Sequence, residues 1–360
     1  MSKVVLAMSG GVDSSVAARL LLDAGHEVVG VFMRHGIETG QSCRVGETPV
    51  RHKQGCCSAA DAADARRVAD LLAIPFYALN FDEQFERIVD YFVDEYLAGR
   101  TPNPCIVCNT WLKFGKLFEY ADSLGAEFVA TGHHARLVDV GQSVPALMRG
   151  LDDAKDQAYV LFGIERSRLS RMLLPVGEHH KSAIRVLAEQ LGFRVADKRD
   201  SQEICFVPDQ DHARFIHERR PAADTSGEIV ASDGTVVGRH DGIERYTIGQ
   251  RKGLGIAFGD RRFVVRIEPD TRRVVVGEQH ELARNELTAA GANWLIEPPT
   301  GPLECQVKIR YRSRPAGALV EPFEEGRFRV RFEEPCYGVA PGQAAVCFEG
   351  DRVLGGGWIE

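Results

Sequence analysis

Three short stretches of this 360-residue chain hold residue types that could do chemistry together. The first is Ser9-Gly10-Gly11-Val12-Asp13-Ser14-Ser15, which follows the apolar run Val4–Met8 and opens an amphipathic pattern at Val12, Val16 and Leu20. Glycines permit a tight turn and close backbone approach, and a helix start offers N–H groups with no intrahelical partner, so this setting suits a phosphate. Ser9, Ser14 and Ser15 can add hydroxyl donors, whereas the Asp13 carboxylate would meet phosphate only through a bridging Mg²⁺. The spacing is neither Gly-x-x-x-x-Gly-Lys-Ser/Thr nor Gly-x-Gly-x-x-Gly, which disfavours a P-loop GTPase or a nicotinamide enzyme. A plain turn with a serine cap is the competing reading, and it leaves the serines and Asp13 without a common purpose.

The second stretch is Asn103-Pro104-Cys105-Ile106-Val107-Cys108-Asn109, and the third is Asp200–Phe206 around Cys205, 97 residues beyond Cys108. Cys105 and Cys108 are spaced for redox chemistry or metal ligation. A thiolate at Cys205 could carry a covalent intermediate that a second thiol, Cys108, resolves as a disulfide. Alternatively Cys105, Cys108 and Cys205 supply three thiolates to a [4Fe-4S] cluster and leave one position open. Zinc fits less well, because no second compact pair is present. Burial is the bland reading for each thiol. Cys43, Cys56 and Cys57 flank the polar and basic segment Arg44–Lys53, a loop expected near substrate. Cys305, Cys336 and Cys347 fall among late strands and read as buried residues.

The elements that must position these groups change character along the chain. Strand-like Val4–Met8, Glu27–Phe32, Phe76–Leu79 and Glu127–Thr131 alternate with helical patterns at Val12–Leu21, Ala62–Leu72, Asp82–Leu97, Leu112–Leu124 and His180–Leu191. That alternation predicts an α/β domain with a parallel sheet covered by helices. Beyond about residue 208, glycines at 227, 234, 238, 242, 249, 253, 255 and 259 punctuate short segments, and Phe263–Ile267 with Arg273–Val276 reads as a hairpin. Leu303–Tyr311, Arg327–Phe332 and Ala344–Phe348 read as further strands. The expected organisation is a catalytic domain at 1–208, a small central linker domain at 209–277 and a β-domain at 278–360. No apolar run approaches the roughly 18 residues of a membrane span, and nine cysteines without a compact framework suit a reducing, cytoplasmic setting. The net charge of -7 excludes a uniformly cationic surface. Local balance differs: Arg239–Arg273 holds nine Arg/Lys against five Asp/Glu, and Lys308–Arg331 seven against three. Such regions can meet RNA phosphates, with Tyr246 and Tyr311 as stacking surfaces, or can simply be solvated faces.

The Ser9–Ser15 turn resembles that of the ATP pyrophosphatases, which cleave ATP between its α and β phosphates and adenylate a substrate oxygen. The wider set resembles the tRNA-specific 2-thiouridylase family across essentially the whole chain. The matching pieces are Ser9–Ser15, Asn103–Asn109 with Lys113-Phe114, Ala130-Thr131-Gly132-His133, Asp153–Tyr159, Asp200–Phe206, Tyr246–Gly255, Arg310-Tyr311-Arg312 and Pro341-Gly342-Gln343. The resemblance implies a C-terminal β-barrel and ATP-dependent replacement of the 2-oxygen by sulfur at the wobble uridine of tRNAs for lysine, glutamate and glutamine. It implies Cys205 as the persulfide carrier and Cys108 as its partner nucleophile. It also implies Mg²⁺-ATP at Ala7, Met8, Ser9, Gly10, Gly11, Asp13, Ser14, Ser15, Met33 and Gly132. Asn103, His133, Lys155, Asp156, Gln157, Arg251, Lys252, Arg310, Tyr311 and Arg312 would position the base or RNA, and Ser201 and Gln202 would shape the loop around Cys205. A cysteine desulfurase or sulfur-relay protein would deliver sulfur. Two departures stand out. Cys105 occupies a position where some relatives carry an aspartate, which keeps the three-cysteine cluster open. His134 replaces a familiar tyrosine, and a modest change in packing is expected. Competing functions are an ATP-dependent RNA modification that adds nitrogen and a noncatalytic tRNA-binding protein; neither gives Cys108 and Cys205 a shared purpose.

Overall fold

A computed structural model describes residues 1–35, 58–198, 200, 204–207, 211–256, 259–324 and 326–360. Cys43, Cys56, Cys57, the 44–53 segment, Ser201 and Gln202 lie outside the described residues. The chain forms two compact units. Met1–Arg87, Cys105–Gln210 and Asp351–Val353 make the first, and Ile88–Pro104, Asp211–Gly350 and Leu354–Glu360 the second.

The first unit contains β1 (Lys3–Ala7), β2 (Glu27–Arg34), β3 (Phe76–Asn80), β4 (Phe128–Ala130), the hairpin β5 (Ala135–Val138) and β6 (Ala146–Arg149), and β7 (Met172–Leu173). Parallel pairing gives the order β3-β2-β1-β4-β7. Central β1 is apolar from Val4 onward because helices cover both sides of a parallel sheet, whereas β3 at the edge leaves Tyr77, Ala78 and Asn80 in water. The helices are α1 (Val12–Asp23), α2 (Ala59–Leu71), α3 (Asp82–Leu97), whose residues from Ile88 onward belong to the second unit, α4 (Pro104–Val107), α5 (Leu117–Ser123) and α6 (Lys181–Gln190). Val16 and Ala17 of α1, Ala65 and Ala69 of α2, and Ile184 and Ala188 of α6 join Val4, Leu6 and Phe32 in one core. Small residues on three helices allow close seating on the sheet. Among the described residues no helix is long and apolar enough to cross a membrane.

The helix predicted at Leu112–Leu124 starts earlier and winds differently. A π-helix, Cys108–Lys116, runs between α4 and α5. Pro104 fits the first position of α4, where its missing N–H costs nothing. Inside the π segment Thr110 donates to the Ile106 carbonyl at 3.0 Å, and Arg168 donates to the Phe114 carbonyl. Side chains thus meet carbonyls that an altered helical register leaves available.

In the second unit, β8 (Gly227–Ala231), β9 (Val236–His240), β10 (Phe263–Glu268) and β11 (Arg273–Gly277) form a sheet of order β10-β11-β8-β9. Phe263–Glu268 and Arg273–Gly277 do pair antiparallel as a hairpin. β12 (Ala283–Trp294), β13 (Leu303–Lys308), β14 (Ala316–Glu324), β15 (Arg327–Tyr337), β16 (Ala344–Glu349) and β17 (Arg352–Ile359) follow the order β12-β15-β14-β13-β16-β17. β17 also pairs with β12, which closes a six-stranded antiparallel barrel over Val307, Val320, Phe328, Val330 and Cys347. Cys347 is buried, while Cys305 and Cys336 are half-buried.

Candidate active site

The order β3-β2-β1-β4-β7 reverses direction between β1 and β4, and in such sheets ligands settle outside the carboxyl ends of the strands at that switch. Ser9–Ser15 follows β1 at this point, and Thr131-Gly132-His133 follows β4. Gly10 has φ +72° and Gly11 is the N-cap of α1 with no side-chain cap. The first-turn N–H groups are therefore not closed off by a capping side chain, and the backbone can approach an anion. Gly132 has a second reason to be glycine: a Cβ there would sit 2.6 Å from the Ser14 nitrogen. The serines divide their work. Ser9 is exposed, but Ser14 is buried and Ser15 fully so, its hydroxyl donating to the Gly11 carbonyl at 2.8 Å. Ser15 braces the turn instead of presenting a donor, a correction to the sequence expectation. Ala7 and Met8 are buried under the turn, and Met33 is half-buried near the end of β2.

Asp13 has two side-chain partners. Its Oδ1 lies 3.0 Å from His134 Nε2 and its Oδ2 accepts from Lys181 Nζ at 2.6 Å. Burial pushes this carboxyl up, but the His134 hydrogen bond and the Lys181 charge bring it below the ordinary value. Each oxygen meets a protein partner, so Asp13 anchors two side chains at the turn. His134, where only a packing change was expected, is a buried polar contact of the turn. Lys181 continues to Asp200 Oδ1 at 2.9 Å, and Asp200 also accepts from Lys155 at 2.7 Å and Arg185 at 3.1 Å. Burial raises the Asp200 carboxyl, yet the Lys155 and Lys181 partners hold it at about 2.

That depression has a sign that can be tested. A carboxyl whose folded value lies below its unfolded one stabilises the fold above the unfolded value, and the contribution disappears as pH falls through the folded value. For Asp200 the window runs from about 3.8 down to about 2. Asp200→Asn should flatten the acid limb of urea-denaturation midpoints over that range. An acid limb identical to the parent's would mean that these ion pairs contribute nothing.

On the opposite flank, Lys198 Nζ donates to the Gly10 carbonyl at 2.9 Å, Asp61 Oδ1 at 2.5 Å and Asp64 Oδ2 at 2.9 Å. Asp61 is also the third residue of a capping box: its Oδ2 accepts from the Ser58 backbone and hydroxyl while Ser58 Oγ accepts from the Asp61 N–H.

Cys105, Cys108 and Cys205 all belong to the first unit, as does the turn. Cys105 is exposed on α4, and Cys108 is half-buried at the first position of the π-helix. The next residue, Asn109, is buried and ties the π-helix down through a 3.1 Å bond to the Val160 carbonyl. Cys205 is half-buried beside Phe206, whose ring meets Phe85 edge-on at 5.6 Å, and His35 stacks on that same Phe85. His35 directly follows β2, so this aromatic cluster puts Cys205 at the same carboxyl edge of the sheet as the turn. Among the described residues no three His, Cys, Asp or Glu side chains are gathered as metal ligands. The three thiols therefore do not form the triad a [4Fe-4S] cluster would need.

Residues 2–209 match the family described as tRNA methyl transferase HUP domain, 213–278 the tRNA methyl transferase PRC-barrel domain and 284–359 the aminomethyltransferase beta-barrel domain. A tRNA-specific 2-thiouridylase MnmA from Rhodopirellula baltica is 54% identical over 100% of this chain and 96% of its own length. The chain belongs to the tRNA-specific 2-thiouridylase family. Proteins of that same name from Geotalea uraniireducens and Carboxydothermus hydrogenoformans are 48% and 50% identical, each over 99% of this chain and 95% and 97% of their own.

In this thiouridylase-family chain, the residues expected to position RNA are distributed between the units. In the first unit Lys155 is tied to Asp200. Asp156 is buried, accepting from the Gly150 and Ala158 N–H groups and from Arg149, and Gln157 accepts from the His134 N–H at 2.9 Å. These three hold the loops after β4 and β6. His133 is buried with Nδ1 2.6 Å from Thr131 Oγ1, and burial together with nearby Lys113 and His134 keeps its imidazole neutral. In the second unit Asn103 is half-buried, Arg251, Lys252 and Arg312 are exposed, and Tyr311 is half-buried. Arg310 donates from Nη2 to the Ile248 and Gly338 carbonyls, both at 2.7 Å. Arg251, Arg261 and Arg262 line an open pocket of about 540 Å³ with Asp260 and Leu254. Tyr246 corrects the sequence expectation: it is buried against His240, with ring centroids 5.4 Å apart, and is not a stacking platform. Lys181, Arg185, Lys198, Asp61 and Asp64 escaped sequence reasoning. The one available signal was a helix start, Ser58-x-x-Asp61, with Asp64 one turn on.

Proposed function

We propose that this tRNA sulfurtransferase is a cytoplasmic enzyme that thiolates the 2-position of the wobble uridine in tRNAs for lysine, glutamate and glutamine, using ATP and a persulfide on Cys205. The observation that carries the proposal is that Cys205 and the open Ser9–Ser15 turn occupy one sheet edge of one unit, in a chain 54% identical over its length to a named 2-thiouridylase. ATP would seat its phosphates on the α1 N-terminus, and the uridine 2-oxygen would attack the α-phosphorus, releasing pyrophosphate. That step turns a poor leaving group into AMP. The terminal persulfide sulfur then attacks C2 and AMP departs with the oxygen, leaving the base joined to Cys205 through two sulfurs. Attack by the Cys108 thiolate on Cys205 Sγ releases 2-thiouridine and forms the Cys108–Cys205 disulfide. An external dithiol resets the pair, and a cysteine desulfurase or sulfur-relay protein reloads Cys205.

The exposed arginines around Arg251 and the pocket they line suit phosphate contacts, with Arg312 and Tyr311 adding to the RNA surface and Asn103 positioning the base. Direct assay decides the matter. Purified protein, unmodified tRNA, Mg²⁺-ATP and a labelled sulfur donor should yield labelled 2-thiouridine in the digested RNA. Label absent from 2-thiouridine, or ATP-dependent incorporation of nitrogen instead, overturns the reading.

A further inference from the structure

We propose that Lys198 and Asp200 are positioning residues that hold the segment bearing Cys205 in register with the nucleotide turn; the inference rests on the function proposed above. Two separate tethers support it. Lys198 has three N–H donors, and the Gly10 carbonyl, Asp61 and Asp64 take all three. The ammonium therefore has no donor left for a phosphate; it fixes the back of the turn to α2. Asp200 reaches the turn by another path, through Lys181 to Asp13. Lys181 is buried, so this relay is shielded from competing water and counter-ions. Asp200 is further pinned by Lys155, from the loop after β6, and by Arg185 of α6.

Cys205 follows Asp200 by five residues, which limits its reach from that anchor to roughly 17 Å. Any displacement of Asp200 therefore shifts the volume open to the thiol. Polyphosphate on the turn brings negative charge next to Asp13 and so competes with Asp13 and Asp200 for Lys181. Occupancy of the turn and placement of Cys205 are thereby joined, and such coupling must act equally in both directions.

The test uses the full-length protein and α,β-methylene ATP. Cys205 is alkylated by iodoacetamide with and without the analogue, and its peptide is quantified by mass spectrometry; the Cys108 peptide from the same digest reports general loosening. In the parent protein the analogue should change the Cys205 rate about tenfold. In Lys198→Met and Asp200→Asn the change should shrink to within about twofold, while analogue affinity stays within about fivefold and Cys108 keeps its parent rate. Lys198→Arg, which keeps the charge, should recover part of the response and covers the case in which the methionine variant folds poorly. An undiminished response in both variants, no response in the parent, or equal changes at Cys108 and Cys205 overturns the inference. Assay of 2-thiouridine formation by the parent is a separate arm: thiolation without coupling removes this inference alone, and its absence removes the function on which it rests.

Discussion

Replacing Cys205 with serine should cut the single-turnover rate of 2-thiouridine formation by at least about 10³-fold while leaving nucleotide affinity unchanged. A hydroxyl cannot carry the second sulfur, so nothing remains to attack C2 once the base is adenylated. Pyrophosphate release without thiolated RNA would mark where the sequence stops. Cys108→Ser should halt one step later. Sulfur reaches the base, but no thiolate cleaves the bond to Cys205, so a tRNA–protein adduct accumulates that dithiothreitol releases as 2-thiouridine. Intact-mass measurement of the quenched reaction distinguishes the two blocks. Normal turnover by either variant would remove that cysteine from the mechanism.

Gly132→Ala carries the second large effect. Its Cβ would meet the Ser14 nitrogen at 2.6 Å and the Asp13 carbonyl carbon at 2.8 Å, both backbone atoms that no rotamer change can move aside. The turn must shift, and a displacement near one ångström at a phosphate cradle costs on the order of 10²-fold in function. The overpacking itself should cost about 1–3 kcal/mol. Nucleotide titration and urea denaturation measure the two losses independently. Affinity within about twofold of the parent would show that the contact between the β4 loop and the turn is not needed for binding.

Much of the N-terminal part was legible because sequence pattern and burial agree there: β1, β2, β3 and α3 fall where apolar runs and the helical period put them. The hairpin β5–β6 and the strands β12, β14 and β17 were not expected, since their glycines, arginines and short apolar runs dilute the period-two signal. The π-helix at Cys108 was beyond reach for a different reason. Its side-chain pattern is ordinary, and its register depends on partners such as Val160 and Arg168, which lie more than 50 residues away. At the site, glycines and cysteines announced themselves by type. Lys181 and Lys198 did not, because a lysine in a helical or polar stretch is commonplace and becomes informative only when acceptors converge on it, two on Lys181 and three on Lys198. His134 is the reverse case. It was noticed as unusual, but its contact with Asp13, 121 residues away, could not be foreseen.

Asp61 carries a consequence for mutational tolerance. In the usual capping box, Glu or Gln serves at this third position. Here each carboxylate oxygen has its own duty, one toward Ser58 and one toward Lys198. Asparagine can keep only one of them as an acceptor, and glutamate carries its carboxylate a methylene too far to keep both. A position that looks freely exchangeable at the start of a surface helix is thus confined to a single amino acid, and a stability-minded redesign that installed the standard glutamate would loosen the turn two elements away.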